Sequence, residues 1–143
     1  MKDDRLRIAV ADDYVAALGR AAYVFAWSEW AAVYCCERME PGFAGRAAAL
    51  TSGQIANRLV NLAKFRSEDA SDRQRCLAAA LEFKRLTRRR NDLVHANPGA
   101  ALDGAQQLFR HGASWTVQAV NDVADEFAAG GIELNDLYHN VLK

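Results

Sequence analysis

Cysteine is scarce in this sequence and poorly spaced for structural chemistry. Cys35, Cys36 and Cys76 form an odd set with no C-x-x-C pair and no histidine at ligand spacing, which argues against both a disulfide framework and a zinc site. That usage fits a reducing, cytoplasmic setting. An excess of either charge is also missing. Eighteen lysines and arginines balance eighteen aspartates and glutamates, so the chain as a whole has no long-range attraction for nucleic acid or an anionic membrane, and any such attraction must be local. Long apolar runs are absent too. The richest, Ala21 to Cys36, carries Glu29 near its middle and falls short of the roughly 20 residues that span a bilayer, so no membrane association is expected. The opening residues, Met1 to Asp13, lack an apolar stretch followed by a small-residue cleavage site, and no secretory leader is expected. No glycine-rich phosphate loop of the required spacing occurs. His111 and His139 have no neighbours at ligand spacing, and Ser28 and Ser114 lack the surroundings of an activated nucleophile. The expectation is a protein without metal or cofactor.

What remains is helical pattern. With 143 residues, half of them hydrophobic, the chain suits a single compact domain, residues 1–143. A first helix is expected from about Asp12 to Arg38, with two apolar faces. Tyr14, Leu18, Phe25, Glu29, Ala32 and Cys36 share one face, and Tyr23, Trp27, Trp30 and Tyr34 share the opposite one. Such a helix is either central to the fold or lies at an oligomer interface. Pro41-Gly42 breaks it, and Thr51-Ser-Gly-Gln54 has capping-box spacing before a stripe of Ile55, Leu59 and Leu62. A polar loop through Ser67, Glu68 and Asp69 leads to a second capping-box spacing at Ser71-Asp-Arg-Gln74. From there a long third helix is predicted to run to a stop at Asn97-Pro98-Gly99. Short alternating pieces around His111-Gly112-Ala113 predict a small β-hairpin. A last helix carries Val120, Val123, Phe127, Leu134, Tyr138 and Val141 in phase across Gly130-Gly131, which predicts a continuous or slightly kinked helix with close backbone approach at the glycines. The fold class is mainly all-α: a four-helix-bundle-like domain with one small β insertion.

Positive charge is gathered on the third helix. From Arg73 to Arg90 the basic residues Arg73, Arg75, Lys84, Arg85, Arg88, Arg89 and Arg90 meet only one acid, Glu82. Measured from Phe83, the residues Leu86, Arg90, Val94 and Asn97 fall within about 60° around the helix, so Arg90 sits on the apolar stripe. A guanidinium placed there needs a partner. Glu29, stranded in the apolar stripe of the first helix, is the natural one, and an Arg90–Glu29 ion pair is the structural expectation. Asn91 and His95 share a second face with Lys84 and Arg88. His95 lies in the last turn, where the negative end of the helix favours imidazolium, and imidazole is suited to acid–base work. A simple helix-capping role is the competing reading. Arg90 and His95 are roughly 140° apart on one helix, so pooling them into one site calls for two copies across a twofold axis.

The run Arg90-Asn91-Asp92-Leu93-Val94-His95 resembles the Arg-x4-6-His motif of the HEPN (higher eukaryote and prokaryote nucleotide-binding) superfamily, including the polar residue directly after the arginine. Its place at the end of a long penultimate helix in a small helical domain is similar as well. The resemblance implies a homodimeric helical bundle and, in active members, metal-independent RNA cleavage by attack of the ribose 2′-hydroxyl on the adjacent phosphate. It would make His95 the acid–base group, Arg90 the stabiliser of transition-state charge and Asn91 the group that orients phosphate or histidine. Lys84, Arg85, Arg88 and Arg89 would then grip the RNA backbone, with Glu29 in support. A toxin or defence effector with an antitoxin or other protein partner fits this reading. Members that extend the motif to His-x-Tyr offer the tyrosine for nucleotide modification; here that position is Asn97. Other members are non-catalytic dimers that bind RNA, nucleotide or protein. The two readings part at His95, which catalysis requires to be accessible.

Overall fold

The computed structural model describes residues 8–66 and 69–143. The polar loop's Ser67 and Glu68, and the start of the chain through Arg7, lie outside the described residues. The chain is mainly helical with a small antiparallel sheet. Helix α1 spans Asp12–Met39, a short 3-10 helix covers Ala44–Ala49, and α2 (Ser52–Lys64) and α3 (Ala70–Val94) follow; strands β1 (Asn97–Ala100), β2 (Gln106–Arg110) and β3 (Ala113–Trp115) precede α4 (Val117–Asn140). Helix α1 packs mainly on α4 and α2 mainly on α3, with further contacts of α1 on α2 and of α3 on α4. Among the described residues, no helix is long and apolar enough to cross a membrane.

Local chemistry accounts for most boundaries. The Thr51 side chain accepts from the Gln54 backbone N–H while the Gln54 side chain accepts from the Thr51 N–H, which completes the capping box at the start of α2. The second expected box does not form. Helix α3 already begins at Ala70, so Ser71 falls inside its first turn, and Asp69 at the cap position makes no side-chain capping bond. At the other end α3 stops at Val94, with His95 as its C-cap, rather than at Asn97. Asn97 and Pro98 are drawn into β1, where Asn97 lies opposite Phe109 and Pro98 opposite Leu108.

The predicted hairpin is therefore one part of a three-stranded sheet, ordered β1-β2-β3. Proline lacks an N–H to donate, and it is tolerated here because β1 is an edge strand. His111 and Gly112 both adopt positive φ, 53° and 78°, between β2 and β3, as a two-residue type I′ turn requires. The sheet gains its support from α1. The buried Tyr14 hydroxyl donates to the Trp115 carbonyl at 2.6 Å and accepts from the Leu108 N–H at 2.9 Å.

The buried residues of all four helices, with Trp115, form one core cluster. At its centre Phe25 of α1 stacks on Phe83 of α3 (centroids 6.0 Å apart) and meets Phe127 of α4 edge-on at 5.0 Å. Helix α4 runs unbroken through Gly130 and Gly131. A methyl group at Gly131 would collide with the Trp27 ring and the Ser28 hydroxyl, and one at Gly130 would come within 2.7 Å of Leu86. These glycines let α4 lie close against α1 and α3. The Ser28 hydroxyl sits at that contact, within bonding distance of the carbonyls of Phe127 (2.5 Å) and Val24 (3.0 Å).

Candidate functional site

The three consecutive arginines at the end of α3 point three ways, because successive side chains on a helix are about 100° apart. Arg88 is exposed and has no partner among the described residues. Arg89 is half-buried and places its guanidinium over the Trp115 ring, 4.9 Å from the centroid. Arg90, also half-buried, lies over the Phe25 ring at 5.3 Å and donates to Asn91 Oδ1 at 3.2 Å. Arg90 thus rests on the apolar stripe, as its position on the helix implies.

The ion pair expected between Arg90 and Glu29 does not form among the described residues. The Glu29 carboxylate accepts from the Ser52 hydroxyl in the first turn of α2, where the positive end of that helix favours an anion. The guanidinium meets an aromatic face instead, an arrangement worth about 0.5–2 kcal/mol. Both charged residues nevertheless line one cavity of about 430 Å³, whose walls are otherwise apolar and include Phe25, Ala22, Ala26, Leu93 and Leu108.

Asn91 is half-buried beside Arg90, so these two motif residues are brought together. His95 is not brought to them. Its ring is exposed, is not part of the cavity wall, and has no partner among the described residues. Its backbone is held, with the N–H donating to the Asn91 carbonyl at 3.0 Å and its own carbonyl accepting from Arg110 at 3.4 Å. The β-sheet therefore abuts His95 without covering it.

The four expected backbone-gripping residues differ in availability. Lys84 is half-buried and, like Arg88, has no partner among the described residues. Arg85 is committed: it bonds Glu82 at 2.7 and 2.9 Å and Glu126 at 2.6 Å, and these carboxylates raise its pKa above the ordinary arginine value. The clustering seen along α3 is thus partly cancelled in space by acids of α4: Glu126 at Arg85, and Glu133 and Asp136 at Arg75.

Arg110 went unnoticed in the sequence. It reaches the His95 carbonyl and approaches Asp92 at 3.8 Å, so it braces the end of α3 from β2. The only sequence clue was its place in an alternating strand; the pairing of β2 with β1, which starts two residues after His95, brings it there. Among the described residues, no group of three or more His, Cys, Asp or Glu side chains is placed to hold a metal ion.

Comparison of the chain with protein-family models, with curated proteins and with solved structures finds no match.

Proposed function

We propose that the protein is a HEPN-type endoribonuclease that works as a homodimer and needs no metal. The observation that carries this reading is the exposure of His95 at the C-terminus of α3, beside a surface where Lys84 and Arg88 carry charge with no partner among the described residues. A histidine buried under the sheet would have no access to RNA. In the proposed reaction the ribose 2′-oxygen attacks the adjacent phosphorus and loses its proton to a base. The bond to the 5′-oxygen breaks, that oxygen takes up a proton, and a 2′,3′-cyclic phosphate remains. His95 from the two copies supplies base and acid. Arg90, whose guanidinium has no carboxylate partner among the described residues, stabilises charge on the phosphate oxygens, and Asn91 fixes its orientation.

A second reading has its own observation. Arg90 faces the cavity between α1 and α3 together with Glu29, whereas His95 does not, which favours a non-catalytic domain that binds a nucleotide or another small anion through Arg90.

Cleavage of labelled single-stranded RNA in EDTA separates the two. Ribonuclease action predicts 2′,3′-cyclic phosphate ends, with activity falling by roughly 10²–10⁴ in folded His95→Ala and falling also in folded Arg90→Lys, which keeps the charge but not the planar fork. A folded dimer that binds nucleotide, loses that binding in Arg90→Ala, is indifferent to His95→Ala and leaves RNA intact supports the second.

A further inference from the structure

The aromatic face of α1 is partly open to solvent, with Trp27 against Gly131 and Tyr34 against Tyr138 of α4 at its edge. Tyr23, Trp27, Trp30 and Tyr34 are 78%, 43%, 52% and 47% exposed. Their spacing of four, three and four residues is that of alternating d and a positions in a coiled-coil seam. It also reads the same in both directions. About a midpoint between Ser28 and Glu29, Tyr23 exchanges with Tyr34 and Trp27 with Trp30, and one layer further out Arg20 exchanges with Glu37. A twofold axis perpendicular to two antiparallel helices performs this exchange. Every aromatic side chain would then meet an aromatic partner, and each end of the seam would bring Arg20, which bonds Asn121 at 3.5 Å, towards the partner's Glu37, whose carboxylate also accepts from the Gly42 and Ala44 N–H groups.

We infer that α1 packs against α1 of a second copy, antiparallel, with Tyr23 facing the partner's Tyr34 and Trp27 facing the partner's Trp30. Charge and symmetry select a second copy as occupant: the seam has no unmatched charge and is complementary to itself. Four exposed aromatic side chains offer on the order of 400 Å² per protomer, about half of a standard interface. A dimer that dissociates at micromolar concentration is the expected strength.

The arrangement deepens the proposed function and rests on it only for its consequence. Ala22 and Ala26, beside Tyr23 and Trp30 around α1, line the Arg90 cavity, so the cavity lies on one flank of the seam. A twofold perpendicular to the plane of the paired helices leaves both cavities on the same flank of the dimer. The two Arg90 residues thereby face a common surface, as a shared RNA site requires.

Sedimentation and paired cysteine substitution test the interface. Wild type should sediment as a dimer at high micromolar concentration, and Tyr23→Arg, at a residue with little of its surface buried, should be monomeric with unchanged helical content. Mild oxidation of Tyr23→Cys mixed with Tyr34→Cys should give a cross-linked pair, and neither variant alone should do so; the native Cys35, Cys36 and Cys76 are buried and give no background. A monomeric wild type, a dimer indifferent to Tyr23→Arg, or equal cross-linking of Tyr23→Cys with itself overturns the inference. A monomer whose tryptophan fluorescence is quenched by single-stranded RNA also overturns it and assigns the face to base stacking. The two readings fail separately: RNA cleavage by a dimer indifferent to Tyr23→Arg removes the interface alone, and a cross-linked dimer that leaves RNA intact removes the ribonuclease alone.

Discussion

Arg88, Arg89 and Arg90 are neighbours in the chain, yet one faces solvent, one covers Trp115 and one covers Phe25. At the residue scale, function depends on which charges are left unmatched, and burial controls reactivity in the same way. Cys35 and Cys36 are sealed in the core, where burial is the largest cause pushing their thiols up to about 12. The Cys35 thiol also donates to the Leu134 carbonyl. Native protein at mildly alkaline pH should therefore take up no iodoacetamide at these positions, while denatured protein labels fully, as read by mass spectrometry. The linkage has a definite sign. A thiol whose folded pKa lies above its ordinary 9.0 contributes stability that is whole below pH 9 and is lost as pH rises from 9 towards about 12. Urea midpoints should fall across that window, and Cys35→Ser, which keeps a donor for Leu134 but changes the titration, should flatten the fall.

At the element scale, α1 and α4 approach each other through a glycine. An alanine at Gly131 collides with Trp27 and Ser28, while one at Gly19 of α1 meets nothing within 4 Å. The same substitution should therefore have opposite effects at the two sites. Gly131→Ala is expected to cost about 1–3 kcal/mol through overpacking, and Gly19→Ala to gain up to about 1 kcal/mol from helix propensity. Chemical denaturation of both variants checks this, and equal effects would show that close approach at Gly131 is not limiting. The continuous last helix was legible because its apolar phase survives the glycine pair. The three-stranded sheet was not: β1 is a short Pro-containing edge that pairs with β2 alone among the described residues, and such a strand has no alternation of its own to read.

At the scale of the whole molecule, zero net charge limits how the proposed ribonuclease would hold RNA. Lys84, Arg88, Arg89 and Arg90 have no carboxylate partner among the described residues, while Arg85 is paired with Glu82 and Glu126. Contacts by these four would give log K against log salt a slope of about −3 per protomer for a single strand. Arg88→Ala should reduce that slope by about 0.7 and Arg85→Ala should leave it nearly unchanged, as measured by fluorescence anisotropy over a salt series. An equal loss from both would mean that RNA displaces the Glu82 and Glu126 pairs.

Periodicity along the chain by itself determined the helical class, the capped start of α2, the apolar placement of Arg90 and the aromatic face of α1, because each is a property of one helix and its 100° turn. Partnership between helices was decided only by the tertiary structure. Glu29 turned to Ser52 at the N-terminus of α2, Arg90 settled on Phe25, and Glu126 arrived from α4 to neutralise Arg85. A charge chooses among all neighbours that folding brings within a few ångströms, and those neighbours are distant in the chain. The sequence therefore shows where a charged group stands on its own helix, and the packing decides what it meets.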